Sequence, residues 1–157
     1  MVGTLAKWLR ILGYDTCYDP DMDDHQLVRL ARAEDRVLLT RDRELALRPG
    51  LNTVFVTSES LETQIGQVLT ELKLEPERSF SRCPVCNKQL AEVDREIARQ
   101  RVPEYVARTQ ESFRACPGCQ RIYWRGTHWQ QMDEQLARIL EGQSPSETGE
   151  GPDKKHK

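Results

Sequence analysis

Four of the five cysteines form two Cys-x-x-Cys pairs, Cys83–Cys86 and Cys116–Cys119, with 29 residues between them. Two residues between thiolates allow a tight turn to direct both sulfurs at one ion. Two such turns supply the four ligands of a closed, tetrahedral zinc site, which is structural and not catalytic. The insert is longer than the roughly 15–20 residues of the commonest pattern. A redox dithiol or a disulfide is the alternative.

The segment that follows the second pair mixes aromatic and basic side chains. Rings that stack on bases and cations that hold phosphates are suited to binding single-stranded RNA. A small zinc module also needs large aromatic residues to build a core, so both interpretations stay open. The candidate RNA-binding residues are Arg121, Tyr123, Trp124, Arg125, His128 and Trp129.

An acidic segment, residues 15–24, supplies five carboxylates and ends in Asp23 and Asp24. If Asp24 lies near Asp42, the pair provides the oxygen ligands that Mg²⁺ or Mn²⁺ requires. The alternative is helix capping plus a solvated loop. Cys17, within the same segment, is expected to be a buried small hydrophobe.

Asp42 follows a short apolar run and has a cation on each side, Arg41 and Arg43. An apolar run of this length is typical of a strand buried on both faces, as in a parallel sheet. Ligands of open α/β sheets bind at the carboxyl ends of the strands. Asp42 is therefore a candidate metal ligand, with Arg41 and Arg43 placed to contact phosphates. It could equally be the N-cap of the next helix.

The elements that must position these residues alternate between helices and short strands, which predicts an α/β fold with a parallel sheet and covering helices. Residues 91–109 should be largely helical with a break at Pro103, and the tail from residue 142 should be disordered. We expect an α/β domain over residues 1–78, a small C-terminal zinc ribbon with a helical insert over 79–140, and a tail over 141–157. The predicted helices are 4–12, 23–34, 43–47, 60–72 and 130–140, and the predicted strands are 14–18, 37–40 and 53–57.

The composition predicts a cytoplasmic protein. The chain has 157 residues, of which 38% are hydrophobic and 31% charged. No apolar run approaches the roughly 20 residues that span a bilayer, and Lys7 and Arg10 interrupt the apolar stretch at the N-terminus, which excludes a signal-peptide core. Residues 1–80 carry a formal charge of −4 and residues 81–140 one of +3. This asymmetry would suit an acidic cation site beside a basic surface for an anionic polymer.

These motifs together resemble the Mut-seven C-terminal ribonuclease domain family. The resemblance rests on LAKWLRILGYDT, DDHQL, RVLLTRDREL, SRCPVCN and CPGC followed by RIYWRGTHW, in this order, and covers about residues 2–133. It implies a PIN-like nuclease fold joined to a zinc ribbon, with divalent metal and RNA as cofactor and substrate. Asp24 and Asp42 match the family's acids, Asp23 is a neighbour that could substitute, and Cys83, Cys86, Cys116 and Cys119 match the zinc ligands.

One departure from the family bears on activity. The resemblance implies a first strand ending in Asp ahead of the helix with which this chain opens, so either the start is misassigned or this form is truncated. The leading hypothesis is a metal-dependent ribonuclease, and the alternative is a catalytically inactive RNA- or ribosome-binding protein. A protein-interaction adaptor is a third. We also expect the cysteine module to fold only with metal, and residues 1–75 to stay folded when Cys116→Ser removes a ligand.

Overall fold

The computed structural model of the chain describes residues 2–75 and 80–142. The tail beyond residue 142, for which disorder is predicted, lies outside these residues. Within the described ranges, no helix is both long enough and apolar enough to cross a membrane.

The first half of the chain builds a small parallel sheet between helices. The pair of strands is in register from Leu38 opposite Thr53 to Thr40 opposite Phe55. The elements are α1 (Val2–Ile11), α2 (Asp24–Ala33), β1 (Leu38–Thr40), α3 (Arg43–Ala46), β2 (Thr53–Phe55) and α4 (Leu61–Glu71). The predicted helices and the two later strands are confirmed. Helix α1 begins two residues earlier and ends one residue earlier than expected, and the other elements are a little shorter than expected.

Alternation along β1 divides the core into two clusters, because successive side chains of a strand point to opposite faces. Leu39 packs on the cluster that contains Leu5 and Ile65 of α1 and α4. Leu38 belongs to the other cluster, with Val28 of α2 and Leu45 of α3. The sheet therefore lies between two helical layers, as expected for a parallel sheet covered on both faces.

The predicted strand at residues 14–18 is wrong, because this segment is irregular. Thr16 shows why. Its N–H donates to the side-chain oxygen of Asn87 at 2.9 Å, and its carbonyl accepts from Arg10 at 2.8 Å. Both backbone groups are thus satisfied by side chains and not by a neighbouring strand.

The second half forms an antiparallel three-stranded sheet in the order β3 (Ala91–Val93), β4 (Phe113–Ala115) and β5 (Ile122–Trp124). The helical prediction for residues 91–109 is wrong at its start, where β3 pairs with β4, and right afterwards, with the break at Pro103. Phe113 fills the centre of this module, packed with Ala98 and Val106. The elements are β3 (Ala91–Val93), α5 (Arg95–Arg99), α6 (Glu104–Thr109), β4 (Phe113–Ala115) and β5 (Ile122–Trp124). The predicted class, an α/β fold with a small parallel sheet and a C-terminal four-cysteine module, is confirmed.

The last helix, α7 (Thr127–Glu141), begins three residues before its predicted start. Leu136 and Ile139 belong to the same core cluster as Leu5 and Ile65 of the first half. The chain therefore returns from the cysteine module to the parallel-sheet half, and the two halves share a core.

Candidate functional site

The two cysteine pairs converge on one point. One ligand atom from each of Cys83, Cys86, Cys116 and Cys119 lies within 4.8 Å of all the others. The sulfurs of Cys83 and Cys119 are 3.7 Å apart, close to the roughly 3.8 Å edge of a tetrahedron with metal–sulfur bonds of about 2.3 Å. The donor set therefore fits a zinc ion, and these four residues could hold one.

The two turns that carry the cysteines have the same backbone geometry. Asn87 donates its N–H to the Cys83 carbonyl and Gln120 donates to the Cys116 carbonyl, each at 2.9 Å. Both residues have positive φ, 67° and 64°, and each immediately follows the second cysteine of its pair. We call these turns the first knuckle (residues 83–88) and the second knuckle (residues 116–121).

Hydrogen bonds affect the pKa values of Cys83 and Cys86 in opposite directions. Burial raises the pKa of the Cys83 thiol, but the Tyr123 hydroxyl at 3.1 Å and the backbone N–H groups of Cys86 and Val85 bring that pKa down to about 7. The pKa of Cys86 is raised to about 12 by its hydrogen bond with Cys119, by burial and by repulsion from the other thiols. Clustered thiolates repel one another unless a cation lies between them, which agrees with a metal centre.

The aromatic residues beside the second knuckle pack into the protein. Trp129 is only 8% exposed and its ring stacks on Phe80 with centroids 4.9 Å apart, while Arg125 lies over it at 5.8 Å. Tyr123 packs edge-on against Phe80, and Trp124 packs edge-on against Phe113. These are the contacts of a small core, and RNA stacking by these rings remains a prediction.

The basic candidates of this module differ in access. Arg121 and Arg125 are exposed, so both guanidinium groups are accessible to phosphates. The side chain of His128 lies outside the described part of the structure. Cys17, expected to be buried, is exposed.

A cavity of about 660 Å³ lies beside β1. Leu38 donates its N–H to Asn52, and the Thr40 carbonyl accepts from Val56, each at 2.8 Å. Alternation therefore directs the N–H and C=O of Leu39 away from β2, toward an edge at which no strand pairs within the described residues. The apolar lining includes Val2, Ala6, Leu9, Leu27, Leu30 and Val68.

Two of the three predicted acids reach this cavity. Asp24, in the first turn of α2, and Asp42, just after β1, both line it, together with Asp15 and Asp19. Asp23 is not part of the lining. Its side chain accepts the N–H of Gln26 while Gln26 accepts the N–H of Asp23, which forms a capping box.

Asp42 also caps a helix, as the simpler alternative predicted. Its Oδ1 accepts the N–H of Leu45 at 3.0 Å, and its own N–H donates to the Thr40 hydroxyl at 3.0 Å. These bonds fix the carboxylate at the cavity, and a carboxylate with two oxygens retains further acceptor sites. Capping and metal binding are therefore compatible at this residue.

The two cations beside Asp42 lie at the surface. Arg41 is exposed and lies 3.9 Å from Glu59, a long ion pair with a partner whose side chain is 91% exposed. Arg43 stacks over the Phe55 ring at 5.6 Å. Both guanidinium groups are accessible to an anionic ligand.

Sequence reasoning missed the contacts between the first knuckle and the parallel-sheet half. The knuckle carbonyls of Pro84 and Val85 accept from Arg10 at 2.9 and 3.2 Å, and Arg10 is 8% exposed. The side chain of Asn87 reaches residues 15 and 16. An arginine within the apolar stretch of α1 was the one available signal.

Comparison with known proteins gives one match. The family model described as Mut7-C RNAse domain matches residues 1–136 of the 157. No curated protein and no solved structure matches the chain. The family supports a nuclease activity in general and implies an RNA substrate. The match covers both the cavity with its acids and the cysteine cluster, so the chain belongs to the Mut7-C RNAse domain family.

Proposed function

We propose that this protein is a divalent-metal-dependent ribonuclease that cleaves single-stranded RNA at the cavity beside β1. The observation that carries the proposal is that Asp24 and Asp42 come from different elements and line the same cavity. Asp42 follows the carboxyl end of β1, where ligands of parallel α/β sheets bind. The family to which the chain belongs supplies the reaction class.

The acids suit Mg²⁺ or Mn²⁺ as an open site. Among the residues that the structure describes, the four cysteines are the one convergent group of three or more possible ligands, so the acids do not form a closed cage. Magnesium typically binds through one or two carboxylates and keeps positions for water and substrate phosphate. Such an ion, when bound, makes a water a stronger nucleophile and offsets charge at the phosphate.

The protein's own residues supply position and charge. The bond from Leu45 and the turn with Thr40 hold the Asp42 carboxylate in place before any ligand arrives. Arg41 and Arg43 are exposed on either side of Asp42 and would bind RNA phosphates, with Arg121 and Arg125 of the cysteine module adding further contacts. The zinc site would maintain the fold of that module.

The test is cleavage of labelled single-stranded RNA with Mn²⁺ or Mg²⁺ by Asp42→Asn. Asn is as good an N-cap as Asp, so this change removes a charged ligand and leaves the fold intact. A matched control is Asp94→Asn, because Asp94 caps α5 through the N–H of Glu96 and is not part of the cavity lining. We expect loss of cleavage in Asp42→Asn alone, and equal cleavage by Asp42→Asn and the unmodified protein would sink the proposal.

A non-catalytic RNA- or ribosome-binding role is the second candidate. The observation that favours it is the sparse donor set, since no three carboxylates converge on one point within the described ranges. This role predicts RNA binding that weakens steeply with salt and is reduced by Arg121→Ala, without turnover. Metal-dependent turnover by the purified chain would exclude it.

A further inference from the structure

The first knuckle makes a set of contacts that the second knuckle lacks. Asn87 and Gln120 occupy equivalent positions, with the same left-handed backbone and the same bond to the first cysteine of their pair. Among the residues that the structure describes, the side chain of Gln120 hydrogen-bonds only to the Pro117 carbonyl of its own knuckle, at 3.5 Å. The side chain of Asn87 instead leaves its knuckle and contacts the parallel-sheet half of the chain.

Both ends of the Asn87 side chain are used there. Its Oδ1 accepts the N–H of Thr16 at 2.9 Å, and its Nδ2 donates to Asp15 Oδ1 at 2.6 Å. The backbone of Asn87 is itself held, because its carbonyl accepts from Arg82 at 2.8 Å. Because the Asn87 amide is held in place, its donor and acceptor together fix the position of residues 15 and 16.

The segment that receives these bonds has little regular structure of its own. Residues 14–18 are irregular. Gly13, just before them, is also held from the second half of the chain, because its carbonyl accepts a hydrogen bond from Arg82 at 3.1 Å. Arg10 connects the Thr16 carbonyl with the knuckle carbonyls of Pro84 and Val85. The position of the segment therefore depends on a turn whose shape is set by the cysteine cluster.

The same segment forms one wall of the acidic cavity. Asp15 and Thr16 line it together with Asp24 and Asp42. Asp15 also binds Arg36 through two hydrogen bonds of 3.1 and 3.2 Å, and Arg36 is a further lining residue. A shift of Asp15 would move this wall relative to the acids.

We propose that Asn87 is a positioning residue: from the zinc-set first knuckle it holds Asp15 and Thr16 and thereby fixes the wall of the cavity that carries Asp24 and Asp42. The part that concerns catalysis rests on the proposed ribonuclease function. The part that concerns the position of the segment does not, and it is measured separately.

The first experiment compares Asn87→Gly with Gln120→Gly in the zinc-loaded full chain. Glycine adopts positive φ without strain, so each change removes only a side chain from its knuckle. We expect the exchange of the Thr16 amide hydrogen to accelerate about tenfold or more in Asn87→Gly and to stay unchanged in Gln120→Gly, with one zinc per chain in both. Unchanged Thr16 exchange in Asn87→Gly, or equal acceleration in both variants, would overturn the proposal.

A charge exchange supplies a rescue test. Asn87→Asp keeps the shape of the side chain but sets a carboxylate against Asp15, and we expect faster Thr16 exchange. Adding Asp15→Asn reverses the original bond, because the amide at position 15 can now donate to the carboxylate at position 87. The Thr16 amide should therefore regain part of its protection from exchange in the double variant. A double variant no better protected than Asn87→Asp alone would contradict the paired bond.

RNA cleavage gives the second readout. Because the segment positions the site and is not assigned to substrate binding, Asn87→Gly should lower kcat several-fold with little change in KM, while Gln120→Gly changes neither. Lost Thr16 protection with unchanged kcat would overturn the catalytic part of the proposal. Cleavage that survives Asp42→Asn would instead mark a failure of the proposed function, and the exchange result would stand.

Discussion

The Tyr123 hydroxyl lies 3.1 Å from the Cys83 sulfur, so a ring of β5 in the second half of the module supports a ligand of the first knuckle. Toward a thiolate the hydroxyl can only donate, which stabilises the charged form that binds metal. This bond joins strand and knuckle at the four-cysteine cluster.

Tyr123→Phe should weaken zinc binding about 10–100-fold, the usual effect of removing a hydrogen-bond partner of a metal ligand. Because phenylalanine keeps the ring contact with Phe80, any loss of zinc affinity would be due to the missing hydroxyl. Competition with a coloured chelator measures the affinity. Tyr105→Phe is the matched control, because Tyr105 is 66% exposed on α6. An unchanged zinc affinity in Tyr123→Phe would contradict the role of the Tyr123–Cys83 bond.

We expect the neighbouring residues Asp23 and Asp24 to have separable roles. Asp23→Ala removes the capping box of α2 and should reduce the free energy of unfolding by about 1 kcal/mol. Asp24→Asn should leave stability nearly unchanged and abolish metal-dependent cleavage, because Asp24 lines the cavity. Urea titrations and cleavage assays on both variants test this separation. Full cleavage by Asp24→Asn would show that Asp24 is not part of the cleavage site.

Leu136→Ala should destabilise the parallel-sheet half although the residue lies in the last helix. Leu136 is fully buried in the cluster that contains Leu5 and Ile65, and deleting such a side chain costs about 2–5 kcal/mol. Leu47→Ala is the control, because Leu47 is 77% exposed. Unfolding followed by circular dichroism in urea should give a large change for the first variant and little for the second.

The same packing changes the expectation for Cys116→Ser. Sequence reasoning expected residues 1–75 to stay folded when this ligand is lost. Because α7 leads out of the cysteine module into the shared core, we now expect the first half to lose stability as well. Amide exchange in α1 and α4, with and without a zinc chelator, measures this, and identical exchange would restore the original expectation.

The ion pair of Asp15 with Arg36 predicts a pH dependence. The hydrogen bonds from Arg36 and then from Asn87 hold the pKa of Asp15 below its usual value of 3.8. A carboxyl with a depressed folded pKa stabilises the protein above its unfolded pKa, and this contribution is lost as pH falls through the folded value. Asp15→Asn should therefore lower Tm at neutral pH, with the difference from the unmodified protein shrinking below about pH 4.

The control for that experiment is Asp21→Asn, which removes one charge from the same exposed acidic segment. Its Tm difference should be smaller at neutral pH than that of Asp15→Asn. A difference for Asp15→Asn that stays constant from pH 7 to about pH 3 would show that the ion pair contributes nothing.

The cavity beside β1 should accept an added strand. Leu39 offers a backbone N–H and C=O at that edge, and the lining is largely apolar. Extending the N-terminus by about five apolar residues ending in Asp, joined through a short loop, should raise Tm by several degrees through burial of about three side chains. The same extension ending in Asn should raise Tm equally but give less metal-dependent cleavage, and an unchanged Tm would show that the strand does not dock.

Features that depend on short separations along the chain can be predicted from the amino-acid sequence alone. Cysteines with two residues between them can share one turn, and Asp23 and Asp42 are placed to cap the helices that follow them, because these contacts span at most three positions along the chain. The apolar run before Asp42 predicts β1, because the conformation of a short strand depends on its own successive residues. Local spacing fixes such contacts whatever the rest of the chain does.

Contacts between distant segments depend instead on how the whole chain folds. Residues 14–18 have strand-like composition, yet Thr16 takes its hydrogen bonds from Arg10 and from Asn87, a residue 71 positions away. Trp129 could have faced RNA, yet it stacks on Phe80, and α7 could have stayed with the cysteine module, yet Leu136 packs beside Leu5. In each case several partners have suitable chemistry, and the partner is chosen by which surfaces remain uncovered once the core has formed, a property of the whole chain and not of any one segment.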